Sequence, residues 1–475
     1  MVRRHAFAVV VLLVGAACGD GSGPPPPPPP PPASPHHLAF VGQLAATLAD
    51  STIAPAVTVQ IRDSVDRRIS GATTAVTISL GANPGTATLS GSTTMNAVNG
   101  TATFSNLKIN RRGRSYTLVS SSGALTADTS NAFDVYAPLV VDAVAAGDGH
   151  TCALKRGEAT YCWGGNVSGE LGDSSNSEHL RPAPVKTDQQ FDTISAGYGT
   201  SCGITGARAA YCWGDNLDGR LGDSTRSNRS SPTPVHGGLS FTSISFGFFH
   251  SCGRTTTGAA YCWGGNNVGQ LGDSTNNPSL APRLVVGGQT FTTVRGSNFH
   301  TCGLASGDAY CWGTDQHGEL GDSTHNYYTA PQAVHGGHTF LALVAGFSHS
   351  CGIATDATTY CWGLNTSGQL GDGTFTERTV PTPVKGGHAF VNVEAHGQFV
   401  CGITALGFVW CWGDIYGNTP VAITQPAPFV SVSTGFSHVC GVTASGALYC
   451  WGDNSNGQLG DGTKTFRSTP IRVVY

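Results

Sequence analysis

The sequence is poor in charged residues and in methionine: 11% of its 475 residues are charged, and two are Met. The formal net charge of -4 argues against a nucleic-acid-binding protein, because such proteins present a basic face to phosphates. Long stretches with a 3.6-residue apolar period are missing as well, so a helical domain is not expected. Glycine is abundant instead, at 65 residues, which is typical of an all-β protein with many turns.

The first 18 residues have the pattern of an export signal. Basic residues at positions 3–5 precede an apolar run over 6–17 that is too short to span a bilayer. The run ends in Gly-Ala-Ala-Cys, which resembles the lipobox of bacterial lipoproteins, although a branched apolar residue is usual where Gly15 stands. We therefore predict a signal peptide over 1–18 with lipidation of Cys18; a plain secretory signal cleaved near this position is the alternative.

A proline-rich linker follows over residues 19–35, with nine consecutive prolines from Pro24 to Pro32. A polyproline II rod advances ~3.1 Å per residue, so this run would form a spacer of ~28 Å. We expect a disordered linker that holds the folded part away from a membrane anchor.

Residues 36–137 consist of short alternating runs, such as PAVTVQIRD and AVTISL, separated by turn residues. About seven short strands in roughly 100 residues are typical of a β-sandwich. The stretches NPGTATLSG, NGTATFSNLKI and YTLVSSSG resemble bacterial immunoglobulin-like domains, which serve as spacers in surface proteins. We therefore predict an immunoglobulin-like β-sandwich here.

From residue 138 to residue 475 the sequence is periodic, with seven units that each contain two cysteines. The first cysteines of the units are Cys152, Cys202, Cys252, Cys302, Cys351, Cys401 and Cys440. The second cysteines, each followed by Trp-Gly, are Cys162, Cys212, Cys262, Cys311, Cys361, Cys411 and Cys450. Six units continue with GxLGD and a Pro-rich strand, whereas the sixth lacks GxLGD. Four short strands per unit predict one propeller blade each.

The unit GxxHSCGIT…YCWGxNxxGQLGDGT…PTPV resembles the repeat of the regulator of chromosome condensation family. The resemblance covers residues 138–475 and implies an all-β fold, a seven-bladed β-propeller. The region begins with LVVDAV and ends with PIRVVY, so we expect the last strand to pair beside the first and close the ring within one blade. The family also implies nucleotide exchange on the small GTPase Ran. The acidic charge, the export signal and the even repeat steps without an insertion argue against that activity here.

The spacing of the cysteines favours a disulfide in each unit. Cys152 and Cys162 lie opposite each other if a three-residue turn joins their strands, with Gly favoured at the third position. The fourth unit has a spacing of nine, which keeps Cys302 opposite Cys311 if the turn shrinks to Ser306-Gly307. A metal site that includes His150, or buried free thiols, are the alternatives. The 15 cysteines then make seven pairs plus Cys18.

The remaining repeated residues favour structural roles. The seven tryptophans are expected in the core between blades, and the aspartates of GxLGD are expected to cap turns. The sequence contains no arrangement of nucleophile, base and acid outside the repeat pattern. We therefore expect no enzymatic activity, no cofactor and no metal.

The loops after GxLGD vary freely between units, and strand direction places them on the same rim as the GxxH turns. Aromatic residues among variable loops are typical of a protein-binding face. The candidate face consists of Tyr198, Phe248, Phe347, Phe436, Tyr327, Tyr328, Phe375 and Phe466.

We expect an exported, monomeric lipoprotein of the bacterial cell envelope, anchored to the outer membrane or cell surface through its lipid alone. It would bind an extracytoplasmic protein or glycan and no nucleic acid. The alternatives are a secreted inhibitor, similar to a propeller-type β-lactamase inhibitor, and an enzyme acting on polysaccharide.

Overall fold

The computed structural model describes residues 34–475, which form two compact units, one ending at Asp134 and the other spanning Val135–Tyr475. The predicted signal peptide, Cys18 and the proline run lie outside the described residues. Over residues 34–475 the elements are β-strands, apart from a 3-10 turn at Asp414–Tyr416. None of the helices in this part of the chain could cross a membrane.

The N-terminal unit consists of short antiparallel strands. Its larger sheets have the orders β1-β3-β7, β2-β12-β9 and β11-β10-β4-β6. Apolar residues alternate with polar ones along β3, where Val57, Val59 and Ile61 are buried and the residues between them are half-buried. Up to residue 136 the strands are β1 (His37–Val41), β2 (Thr47–Leu48), β3 (Val57–Arg62), β4 (Ala75–Leu80), β5 (Leu89–Ser90), β6 (Thr94–Asn96), β7 (Thr101–Phe104), β8 (Lys108–Ile109), β9 (Gly113–Tyr116), β10 (Leu118–Ser121), β11 (Asp128–Thr129) and β12 (Phe133–Tyr136).

The C-terminal unit consists of seven four-stranded antiparallel sheets, each made of consecutive strands, which we call blades one to seven. Blades one to four are formed by β13 (Ala143–Ala146), β14 (His150–Leu154), β15 (Thr160–Gly164), β16 (His179–Pro184); β17 (Phe191–Ala196), β18 (Thr200–Thr205), β19 (Ala210–Gly214), β20 (Arg229–Pro234); β21 (Phe241–Phe246), β22 (His250–Thr255), β23 (Ala260–Gly264), β24 (Ser279–Leu284); β25 (Thr293–Gly296), β26 (His300–Ala305), β27 (Asp308–Gly313) and β28 (Tyr328–Ala333). Blades five to seven are formed by β29 (Phe340–Gly346), β30 (His349–Ala354), β31 (Thr359–Gly363), β32 (Arg378–Pro383); β33 (Phe390–Ala395), β34 (Phe399–Thr404), β35 (Val409–Gly413), β36 (Gly417–Ala422); β37 (Phe429–Thr434), β38 (His438–Thr443), β39 (Leu448–Gly452) and β40 (Arg467–Arg472).

The first strand of every blade lines one central channel. The turns between strands one and two, and between strands three and four, therefore open on one side of the ring, which we call the LGD rim. The turns that join strands two and three open on the other side, which we call the hairpin rim. The candidate binding residues all belong to the LGD rim.

The two ends of the propeller region pair beside each other, as the sequence predicted. The expectation that this pairing lies within one blade is wrong, since each blade is built from four consecutive strands. The N–H of Tyr475 donates to the carbonyl of Ala137 at 3.0 Å, and the N–H of Leu139 donates to the carbonyl of Val473 at 3.0 Å. Every repeat already supplies its own four strands, so no strand has to be borrowed.

Each cysteine pair forms a disulfide between the second and third strands of its own blade, with the two Cα atoms 4.1 Å apart. In blade four, Cys302 lies opposite Cys311, and Ala305 pairs with Asp308. The two-residue turn Ser306-Gly307 has φ of 53° and 90°, as a tight hairpin requires. The left-handed glycine stands at the third turn position in blade three, as Gly258, but at the second position in blade one, as Gly157.

Each tryptophan packs on the disulfide of the preceding blade, as the predicted role between blades requires. Trp213, for example, shares a buried cluster with Cys152 and Cys162. Its Nε1–H donates to the backbone carbonyl of Glu170 at 2.8 Å. Gly172, with φ of 67°, passes so close that a Cβ there would lie 2.7 Å from Trp213 Nε1. Gly172, the second glycine of GxLGD, is therefore needed so that this turn can pack over the tryptophan of the next blade.

Candidate functional site

The LGD turn is held by an asparagine two residues after the Trp-Gly pair. In blade five, Asn365 Nδ2 donates to Asp372 Oδ1 at 3.3 Å and to the carbonyl of Thr376 at 2.9 Å. Asn365 Oδ1 accepts the N–H of Leu370 at 3.0 Å. The same bonds recur around Asn166, Asn216 and Asn266. The aspartate of GxLGD is thus part of a closed network, which agrees with a turn-capping role.

Most of these aspartates also pair with a basic residue at the start of the fourth strand. The Nη2–Oδ2 distance is 2.7 Å for Arg229 and Asp223 and 2.8 Å for Arg378 and Asp372. Burial raises the pKa of Asp372, but hydrogen bonds from Thr374 and Arg378 outweigh it and hold that pKa below its usual value. The loop base is therefore a rigid, charge-balanced platform, and the loop tips beyond it are free to vary.

The repeated histidines join neighbouring blades. His250 Nε2 lies 2.7 Å from Thr301 Oγ1 of the next blade, and the Thr301 hydroxyl donates to the carbonyl of Gln270 at 2.8 Å. Because that hydroxyl has one proton, the histidine is the donor in the first bond. Burial lowers the pKa of His250 to about 3, so the ring is neutral. No pattern in the sequence points to this bond, because its partner lies one whole repeat away.

Four of the predicted face residues meet at the mouth of the central channel. Tyr198 is 4% exposed, and its ring lies 4.8 Å from that of Phe248 and 5.9 Å from that of Phe436. Phe347 packs against Phe436 with ring centroids 6.1 Å apart. The Tyr198 hydroxyl donates to the carbonyl of His396, on the far side of the ring, at 3.1 Å. These rings, which we call the aromatic plug, pack on one another and on the rings of His396 and Phe249.

The other predicted residues lie on the outer loops of the LGD rim. Tyr327, Phe375 and Phe466 are 56%, 59% and 52% exposed. Tyr328 begins β28 and packs against the buried cluster of blade four, so it is a framework residue. Val167 and Leu217, each directly after the Asn of its turn, are also exposed, and the sequence analysis missed them. Their position directly after the Asn of the repeat could have identified them.

Over residues 34–475 no group of three or more His, Cys, Asp or Glu side chains has an arrangement that could hold a metal ion. The polar groups of the LGD rim are largely engaged in the turn networks, and the apolar side chains stand out at the loop tips. The arrangement is suited to contact with another molecule.

Comparisons with known proteins agree with this architecture. The RCC1-like domain family matches residues 110–402, and regulator of chromosome condensation (RCC1) repeats match 429–458 and 445–475. The crystal structure of human WBSCR16 has 21% identity and a TM-score of 0.61, covering 67% of this chain and 95% of that one. Yeast RCC1 (Prp20), in the crystal structure with Kap60, has 18% identity and a TM-score of 0.59, covering 66% and 83%. No curated protein gives a match. At such identities the solved structures show the fold alone.

Proposed function

Because this chain belongs to the family of RCC1-like domains, we propose that it is a non-catalytic, cell-envelope binding protein that recognises an extracytoplasmic protein through its LGD rim. The observation that carries this proposal is the exposure of Tyr327, Phe375 and Phe466 on the loops of that rim. Aromatic side chains bury much apolar surface at a small entropic cost, so they are enriched at the centres of protein interfaces.

The seven disulfides support the location. They indicate an oxidising, extracytoplasmic environment, because thiols stay reduced in the cytosol. In this proposal Cys18 is the lipidated anchor of a bacterial lipoprotein. The N-terminal unit is an immunoglobulin-like β-sandwich that acts as a spacer and takes no part in recognition.

A protein partner is favoured over a glycan by the spread of the exposed apolar residues. Tyr327, Phe375 and Phe466 belong to blades four, five and seven, and Val167 and Leu217 extend the apolar surface to blades one and two. A surface distributed over five blades fits the breadth of a protein interface better than a single sugar-sized pocket.

Nucleotide exchange on a small GTPase is no part of the proposal. The likeness to yeast RCC1 (Prp20) is a likeness of fold, at 18% identity. The chain has a net charge of -4, and charge of this sign does not suit contact with chromatin.

The test is capture from an envelope extract with the oxidised protein as bait. A rim variant carries Tyr327→Ala, Phe375→Ala and Phe466→Ala. A control variant carries Leu341→Ala, Leu406→Ala and Phe408→Ala, which are at least half exposed, like the rim residues, and lie toward the hairpin rim.

We expect a discrete protein that the wild type and the control retain and the rim variant loses by at least about tenfold in affinity, since each anchor contributes on the order of 1 kcal/mol or more. Loss in the control with retention in the rim variant would place the contact on the other side of the ring. Capture of glycan alone would overturn the choice of partner.

A further inference from the structure

The LGD turn network of blade four differs from the others at two positions, Asp315 and Tyr328. Asp315 stands where Asn365 stands in blade five, and its Oδ1 accepts the N–H of Leu320 at 2.9 Å, as the asparagine Oδ1 does. The carboxylate oxygen Oδ2 therefore occupies the place of the amide Nδ2. It is buried and has no hydrogen-bond partner over the described residues.

The surroundings of that oxygen are acceptors. The asparagine Nδ2 of the other blades donates to the aspartate of GxLGD and to the oxygens of the following loop. In blade four the loop keeps the same form, since Asp322 Oδ1 accepts the N–H of Thr324 at 2.9 Å and its hydroxyl at 2.8 Å. An ionised Asp315 would thus place a second carboxylate against Asp322 with no donor between them.

The basic residue that pairs with the aspartate in blades one, two, five and seven is also missing. Position 328, which corresponds to Arg378 and Arg467, is a tyrosine, and Asp322 has no ion pair within 4.0 Å over residues 34–475. Glu319, on the same turn, is fully buried with Oε1 unpartnered, where blades three, five and seven have glutamine. A proton on Asp315 would restore the donor and remove one of the two adjacent negative charges.

We propose that the LGD loop of blade four, residues 322–328, is a proton-operated latch: with Asp315 protonated, its hydroxyl replaces the asparagine amide and holds the loop, and ionisation of Asp315 loosens it. The loop carries the exposed Tyr327, so its order would control one anchor of the LGD rim. That consequence for binding rests on the proposed function; the latch itself does not.

The pKa of Asp315 supports a latch that is closed at low pH and loosened at high pH. Burial raises the pKa of this carboxyl to about 7, and the charge of Asp322 adds to that rise. Burial raises the pKa of Glu319 to about 8. The charged or titratable groups that face the two carboxyls are Asp322 and His325 on the loop, His317 on the preceding turn and Glu377 from blade five, which pairs with His317 at 3.2 Å.

The sign follows from proton linkage. When the loop opens, Asp315 meets water and its pKa falls toward the ordinary value of about 3.9. The closed loop therefore binds more protons than the open loop between about pH 4 and pH 7, and opening becomes easier as the pH rises. With a closed-state pKa of about 7, raising the pH from 6 to 8 increases the opening equilibrium about tenfold.

Hydrogen–deuterium exchange on the full oxidised chain tests the latch without a partner. Exchange of 322–328, corrected for the intrinsic effect of pH, is compared with that of the blade-five loop, 372–378, at pH 6 and pH 8. We expect the blade-four loop to gain about tenfold in opening while the blade-five loop stays constant. Asp315→Asn should abolish the difference, and Asn365→Asp should transfer a pH dependence to blade five.

An equal response of both loops, or a pH dependence that survives Asp315→Asn, would overturn the latch. A further measurement adds calcium at 1 mM at pH 8. Recovery of protection there would show that a cation, instead of a proton, occupies the space beside Asp315. A partner found through the rim would then be tested at both pH values. If the latch proposal fails, binding at the rim is still observed. If the rim proposal fails, the exchange result is unchanged, so the two failures are distinguishable.

Discussion

The junction between blades five and six lacks the hydroxyl that other junctions use, and Val400→Thr should supply it. Val400 occupies the position of Thr301 and Ser350, directly before the first cysteine of its blade. It is fully buried. His349 Nε2, which would bond that hydroxyl, has no partner over the described residues. Gln369, whose carbonyl would accept the hydroxyl proton, already receives Trp412 Nε1–H at 3.0 Å.

Two opposing contributions determine how Val400→Thr changes the free energy of unfolding. Replacing a buried methyl group by a hydroxyl loses about 0.8 kcal/mol of transfer free energy. A neutral ring has one N–H, so a bond from His349 Nε2 to the new hydroxyl would replace the contact of Nδ1 with the carbonyl of Phe347, which is 3.4 Å long. The net gain of one to two hydrogen bonds, each worth about 0.5–1.5 kcal/mol, offsets the loss. Valine and threonine have the same shape, so no repacking is needed. We expect Val400→Thr to leave the free energy of unfolding unchanged or to raise it by up to about 2 kcal/mol.

Val439→Thr is the matched control. Val439 has the same place in blade seven and is also fully buried. The residue at the histidine position of blade six is Phe399, and blade six has no GxLGD turn to offer a carbonyl. An unpartnered buried hydroxyl costs about 1–3 kcal/mol. Urea unfolding of the oxidised proteins at pH 7.5 should therefore separate the two variants by roughly 2–4 kcal/mol. Equal destabilisation of both would refute the proposed role of the histidine–hydroxyl bond.

Three further predictions follow from the same contacts. Lowering the pH from 7 to 5 should reduce stability in urea by up to ~2 kcal/mol for each buried histidine such as His250, because unfolded histidine protonates below about pH 6.5 while the folded ring stays neutral. The raised pKa of Asp315 acts in the opposite sense. An unchanged midpoint of urea unfolding would contradict the burial of these histidines. Removing one disulfide by Cys351→Ala with Cys361→Ala should cost ~3 kcal/mol from chain entropy alone, measured by thermal unfolding, and a loss below about 1 kcal/mol would show that the hairpin is already fixed without it. Cys18→Ala should abolish partitioning of the expressed protein into a detergent phase, whereas unchanged partitioning would exclude lipidation at this residue.

The repeats and the disulfides could be predicted because they depend on contacts close in sequence. Cys302 and Cys311 are joined by one hairpin, and a spacing shortened by one residue is compensated by a two-residue turn. The role of the tryptophans could likewise be predicted, since one large apolar residue per unit requires a place between the units. The pairing of the two ends was predicted correctly, but its placement within one blade was wrong, because the pairing of Ala137 with Tyr475 depends on how both ends complete a closed circle.

The sequence by itself determined the blades, because each blade is stabilised by local strand pairs that recur with the repeat. Only the tertiary structure decided which aromatic side chains are exposed. Tyr198 has an ordinary loop position in the repeat, yet closure of the ring brings it to His396, 198 residues away, and buries it. Tyr327 and Phe375 have no such opposite neighbour and remain exposed. The physical reason is that burial at the channel mouth comes from side chains of distant blades, which the period of the sequence does not encode.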